Sequence, residues 1–321
     1  MMPKNRYSLP NPMRSDSDDV ALLRALAPHE GYNLTAINDV RVLRSDRPLA
    51  DTPVLYDPGI VIVCQGAKRG YFGDTTFLYD EQHYLAVAAP VPFTMQSEGS
   101  VERPLLALYL HLDFPLAAEL MVEIGQSGGA PTARGPQSLV SSPMDDVMRQ
   151  TVHHLLRVLS HPMDAAVLGR SAVRELYYRA LTGPQGPNVR AALAQQGHFG
   201  RIGRALRRIH KDHALPLDVA QLAREADMSA PSFHAHFKAV TRASPMQYLK
   251  SIRLHQARLL MVREGMTAAA ACHAVGYESA SQFNREFKRL FGLPPTAEAK
   301  RMKADFAVPP SHPGSTFVSS H

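Results

Sequence analysis

The feature that most restricts how this 321-residue chain can fold is an internal repeat in its last third. The runs Ser229-Ala-Pro-Ser-Phe233-His-Ala-His-Phe237-Lys238 and Ser279-Ala-Ser-Gln-Phe283-Asn-Arg-Glu-Phe287-Lys288 share the pattern S-x3-F-x3-F-K, displaced by 50 residues. Pro245 maps onto Pro295 at the same displacement. Self-similarity at a fixed period marks a repeated supersecondary unit. Each copy reads as a helix whose serine accepts the orphan N–H groups of the first turn. Within each, the two phenylalanines stand four residues apart and share one buried stripe. An Ala-rich helix precedes each copy, Leu217–Ala226 and Thr267–Val275, and Gly276-Tyr277 supplies a tight turn in the second. Helix, tight turn and capped second helix make a helix-turn-helix, present twice. Between the copies Ser244–Arg263 reads as one long helix that fixes their separation.

Charge follows the same division. From His198 to Lys303 there are 18 Lys and Arg against 8 Asp and Glu, while the rest of the chain has 17 against 21. A basic module on a mildly acidic body suits nucleic-acid binding, and equally a solvated basic surface. Hydrophobic residues at 45% are enough for folded cores, and the length suggests two domains. The sequence has no long uncharged apolar run and no signal-peptide core near its start, so no membrane partner is expected. Two cysteines, Cys64 and Cys272, exclude a disulfide framework and fit a reducing cytoplasm.

The chain before the repeat divides in two. From Tyr32 to Asp113, short β-branched and aromatic runs alternate with Gly- and Pro-rich turns, the pattern of an antiparallel barrel or sandwich. The expected strands are Asn38–Leu43, Gly59–Cys64, Arg69–Gly73, Thr75–Tyr79, Tyr84–Ala88, Phe93–Gln96 and Leu105–Asp113. Helical periodicity follows at Pro115–Ile124, Pro143–Leu159 (capped by Ser141 or Ser142) and Asp164–Thr182, with a loop over Gly125–Pro136. A short helix at Asp19–Ala27, capped by Ser17 or Asp18, comes before the strands. The fold class expected is therefore α+β: a β-barrel with following helices, then an all-α double helix-turn-helix. The divisions are 1–30, an N-terminal segment; 31–182, the barrel and its helices; 183–199, a linker; 200–303, the helix-turn-helix pair; and 304–321, a disordered tail.

The run from Val275-Gly276-Tyr277 through Ser279, Phe283, Arg285, Phe287-Lys288 and Phe291-Gly292 to Pro295 resembles the signature of AraC/XylS-type transcription regulators. Leu55-Tyr56-Asp57-Pro58, Gly66-x-Lys68 and His83-Tyr84-Leu85 are similar to the N-terminal effector domain of one AraC-type branch. The resemblance implies a cupin-like barrel that holds a small molecule and a C-terminal part that binds promoter DNA at two half-sites. It also implies RNA polymerase and a second copy of the chain as partners, and no cofactor. An aromatic–Arg pair usual shortly after the last proline is missing, since the segment reads Thr296-Ala-Glu-Ala-Lys300-Arg301.

Base readers belong on the outward face near the start of each second helix. These are Ala230, Pro231, His234 and Ala235 in the first unit, and Ala280, Ser281, Asn284 and Arg285 in the second. Arg285 suits guanine and Asn284 adenine. Ser229, Lys238, Lys250, Arg253, Ser279, Lys288 and Arg289 are the candidates for phosphates. For an effector, Cys64, His83, Tyr109 and His111 fall on expected strands, with Tyr109 and His111 on the face opposite Leu106, Leu108, Leu110 and Leu112. Cys64 reads either as a sensing thiol or as inert core, and His210-x-x-His213 as surface. The His-x-His and Glu spacing of metal-dependent cupins is absent, so no metal is expected. No catalytic motif occurs, and the chain reads as a regulator rather than an enzyme. The other classes are an architectural DNA-binding protein without a ligand and a cupin enzyme carrying a DNA-binding module.

Overall fold

The computed structural model describes residues 12–72, 75–126, 138–194, 198–241 and 243–305. After helix α1 (Pro12–Leu26) come nine strands: β1 (Gly31–Leu34), β2 (Val40–Ser45), β3 (Leu49–Tyr56), β4 (Gly59–Gln65), β5 (Ala67–Phe72), β6 (Thr75–Asp80), β7 (His83–Val87), β8 (Val91–Glu98) and β9 (Leu105–His111). Helix α2 (Phe114–Gln126), strand β10 (Leu139–Pro143) and helices α3 (Asp146–Leu159), α4 (Pro162–Thr182) and α5 (Gly186–Ala194) complete the first part. The second is helical throughout: α6 (His198–Asp212), α7 (Val219–Glu225), α8 (Ala230–Thr241), α9 (Pro245–Arg263), α10 (Ala268–Ala274), α11 (Ala280–Phe291) and α12 (Pro295–Asp305).

The strands form one antiparallel sheet in the order β1-β2-β9-β4-β7-β6-β5-β8-β3, with β10 beside β7. It curls into a half-barrel whose two faces differ by the period of two along each strand. On β9, Leu106, Leu108 and Leu110 turn outward and pack under α1, α3, α4 and α5. Leu105, Ala107 and Tyr109 turn inward with Val54, Tyr56, Val63, Tyr79 and Phe93. Gly70 on β5 is required by this inner packing, because a Cβ there would lie 2.9 Å from the Phe93 ring.

Several expectations need correction. Helix α1 begins at Pro12, so Ser17 and Asp18 lie within it rather than capping it. Strands β1 and β3 were not expected, and Ser141 and Ser142 belong to β10, which pairs with β7. The cap of α3 is Asp145, whose carboxylate accepts the Met148 N–H at 2.7 Å. The 183–199 stretch contains α5, whose Val189, Ala192 and Leu193 are buried in the outer core of the sheet. The end of the chain is helical through Asp305, and residues 306–321 of the expected tail lie outside the described residues, as does most of the Gly125–Pro136 loop.

The two parts share packing. Leu55 and Ala89 of the sheet region join the core around α6, α7 and α8, while Met302 of α12 joins the inner cluster of the half-barrel. Tyr248 donates its hydroxyl to Pro90 O at 2.8 Å, Ser138 to Val240 O, and the Arg258 guanidinium to Pro53 O at 3.0 Å.

Candidate nucleic-acid interface

Helix α9 supplies both helix-turn-helix cores from opposite sides. Tyr248, Leu249 and Ile252 pack with Phe233 and Phe237, whereas Leu254, Ala257 and Met261 pack with Phe283 and Phe287. All four phenylalanines are buried, with ring centroids 5.3 Å apart in the first pair and 5.5 Å in the second. Each unit is closed by the same local chemistry. Asp218 and Thr267 cap the first helices, accepting the N–H groups of Gln221 and Ala270. Ser229 and Ser279 accept from Ser232 and Gln282 at the start of the second.

The turns match less closely than the repeat suggests. Met228 N–H reaches Ala223 O, and Tyr277 N–H reaches Cys272 O, both at 3.0 Å, the six-to-one bond of a helix end closed by a left-handed residue. That residue is Asp227 (φ 51°) in the first unit and Gly276 (φ 80°) in the second. These positions are 49 residues apart, so Glu278 is an extra residue before the second recognition helix. Gly276 also has no room for a side chain, since a Cβ would stand 2.3 Å from Ala214 O.

The exposed faces of α8 and α11 are where the sequence placed them. Ala230, Pro231, His234, Ala235, Ala280, Ser281, Asn284 and Arg285 are all exposed, as are Ser229, Lys238, Ser279, Lys288 and Arg289. Two basic residues have intramolecular partners instead. Lys250 pairs with Glu286 at 3.0 Å, and that carboxylate also accepts from Tyr277 at 2.7 Å. The Arg253 guanidinium donates to His213 O, Gly276 O and Leu215 O at 2.6, 3.2 and 2.9 Å, joining the loop after α6 to the second turn. His210, expected at the surface, is buried against Tyr248 at 2.8 Å, and burial pushes its pKa down to about 3. It is therefore neutral in the folded protein.

The four effector candidates do not form one site. Cys64 looks outward, into an open hollow of about 220 Å3 between the sheet and α1 and α3, lined also by Gln65, Glu81, Arg103 and Arg149. His83 pairs with Asp80 at 2.9 Å on the hairpin it closes. Only Tyr109 and His111 meet, with ring centroids 6.4 Å apart. Tyr109 donates to Asp57 O at 2.7 Å, and His111 Nδ1 lies 3.7 Å from Asp57 Oδ2. Sequence reasoning missed the inward-facing Lys68, Tyr56 and Tyr79. Its available signal was Lys68 at a position where alternation along β5 puts the side chain inside.

Among the described residues no group of three or more His, Cys, Asp or Glu is placed to hold a metal ion, and no helix is long and apolar enough to cross a membrane. Residues 36–188 match a family model for the N-terminus of AraC-type transcriptional regulators, and residues 222–301 match one for a helix-turn-helix domain. The chain belongs to the AraC family. A putative AraC-like transcription regulator of Streptomyces lividans is 36% identical over 94 residues, 29% of this chain and 31% of that protein. The thermoregulatory protein LcrF of Yersinia pestis is 23% identical over 194 residues, 60% of this chain and 69% of that one. The matched region thus spans about a third of the length of the first curated relatives. Among solved structures, ToxT of Vibrio cholerae bound to an unsaturated fatty acid superposes with a TM-score of 0.59 at 10% identity, covering 87% of this chain and 98% of that one. That likeness is one of fold, and it extends over both parts of the chain.

Proposed function

We propose that this AraC-family chain is a sequence-specific DNA-binding transcription regulator controlled by a small molecule held in its N-terminal half-barrel. The observation that carries this reading is the pair of recognition helices, α8 and α11, each exposed on one face and both anchored to α9. A 19-residue helix is about 28 Å long, close to the roughly 34 Å between successive major grooves on one side of DNA. Asn284 and Arg285 supply base-reading chemistry in the second unit. The first unit presents Ala230, Pro231 and Ala235, so its preference rests on contact and shape, with His234 its one polar reader. Lys238, Lys288 and Arg289, with the caps Ser229 and Ser279, would hold phosphates; the partners of Lys250 and Arg253 favour a bracing role for those two. The fatty acid bound to ToxT supports effector control by a molecule of that general kind. A homodimer through the exposed Met163 and Val167 of α4, and contact with RNA polymerase, complete the proposed set of partners.

Selection from a library of short duplexes at fixed physiological salt tests the reading. The expected product is a bipartite site with half-sites about one helical turn apart. Arg285→Ala is expected to weaken the second half-site by about 1–3 kcal/mol, roughly 5- to 150-fold, and to leave the first unchanged. Salt-sensitive binding without a preferred sequence would identify an architectural protein instead.

A further inference from the structure

We infer that Arg253 is a positioning residue for sequence recognition: its guanidinium locks the two helix-turn-helix units into one rigid reader and so sets the half-site spacing that the chain accepts. This deepens the DNA-binding reading above and rests on it.

The two units have separate apolar cores. The first is built on Tyr248, Leu249, Ile252 and Leu259 of α9, the second on Leu254, Ala257 and Met261 of the same helix. Apolar packing has no preferred direction, so a shared helix alone leaves each unit able to roll on its own side of α9. Arg253 stands near the middle of α9, where the units meet beside the helix. Its Nε donates to His213 O at 2.6 Å and one terminal nitrogen to Leu215 O at 2.9 Å, both in the loop that leads into α7 of the first unit. The other terminal nitrogen donates to Gly276 O at 3.2 Å, in the turn of the second unit.

A second observation falls on the same seam. A Cβ on Gly276 would stand 2.3 Å from Ala214 O, so the turn of one unit is pressed directly against the loop of the other. The chemistry of the clamp is particular to arginine. A planar fork of N–H groups can serve three carbonyls in different directions, whereas an ammonium on a flexible stem presents a single point. Arg253 is half-buried and engaged by these carbonyls, which separates it from Lys238, Lys288 and Arg289 on the exposed faces.

On DNA, adding one base pair between two half-sites moves the second by about 3.4 Å along the duplex and about 34° around it. Recognition geometry has to be held to within roughly 0.5 Å and 10–20°, so a reader whose two parts are locked cannot follow that shift. Spacing thereby becomes part of what is read, through a residue that touches no base.

The test uses the full chain and the two half-sites obtained by duplex selection, joined at the selected spacing and with one base pair removed or added. Wild type is expected to bind the altered spacings about tenfold more weakly or worse. A wild-type difference below about threefold would overturn the proposal without any variant being made. Arg253→Met and Arg253→Lys are each expected to reduce the difference to about threefold or less while the sequence preference at each half-site persists. Unchanged binding of a duplex carrying the first half-site alone shows that the variants are folded. The dependence of affinity on salt should match wild type, since loss of a phosphate contact would lower its slope by about one. Spacing discrimination retained by either variant, or a slope lowered by that amount, overturns the proposal and leaves the DNA-binding reading in place. Selection of no bipartite site by wild type would overturn both.

Discussion

Replacing Glu298 by alanine is expected to destabilise the protein by about 3–5 kcal/mol, a large part of the roughly 5–15 kcal/mol available to a folded domain. Glu298 is fully buried and accepts from Arg258 at 3.2 Å and from Arg301 at 2.9 Å. The Arg258 guanidinium is itself fully buried and lies 4.3 Å from the centroid of the Phe291 ring. Burial pushes the Arg258 pKa down to about 10, still far enough above neutrality to keep the charge. Without Glu298 that charge has Pro53 O and a histidine nitrogen near it, but no counter-ion at this position. Urea denaturation followed by circular dichroism measures the loss. The double variant Arg258→Met/Glu298→Leu separates its cause: if the loss comes from a stranded charge, removing both partners should recover most of it. A loss below about 1 kcal/mol in Glu298→Ala would mean that water reaches Arg258 and the pair is effectively a surface one.

The second large effect is expected at Phe287. The ring is buried, 5.5 Å from Phe283 and 4.5 Å from Phe291, where α11 crosses α9. Truncation to alanine opens a cavity in a small helical core and should cost about 3–5 kcal/mol. The neighbouring Lys288→Ala, on the exposed face, should stay within about 0.5 kcal/mol. Thermal melts of the two variants side by side test the contrast. In duplex selection the two should fail differently. Phe287→Ala should lose the second half-site outright, because α11 is no longer held, while Lys288→Ala should weaken binding evenly across sequences and reduce its dependence on salt.

The helix-turn-helix pair was legible because its signals are local. Caps at Ser229 and Ser279, phenylalanines four apart and a small-residue helix in front all act within one or two turns of chain. The half-barrel was legible in outline for a similar reason, since alternation and turn residues mark most of its strands. What escaped depended on distant partners. Leu139–Pro143 carries two serines before a helical stretch and looks like a cap, and only pairing with β7 makes it a strand. Arg253 resembles any basic residue on a helix until three carbonyls from two loops converge on it. Lys68 looks like a surface lysine in a polar strand until the sheet curls around it. Glu298 sits in an alanine-rich run, and only the fold brings Arg258, forty positions earlier, against it.

The near-repeat of 49 and 50 residues has a last consequence. Its two copies point different residues outward, Pro231 and His234 in one and Asn284 and Arg285 in the other. A pair of identical subunits on a palindrome looks the same from either end of the duplex. This chain has no such axis. On the proposed reading a single copy on one bipartite site gives that site a polarity, so inverting the site in front of a gene would turn the half-barrel of that copy from facing the gene to facing away.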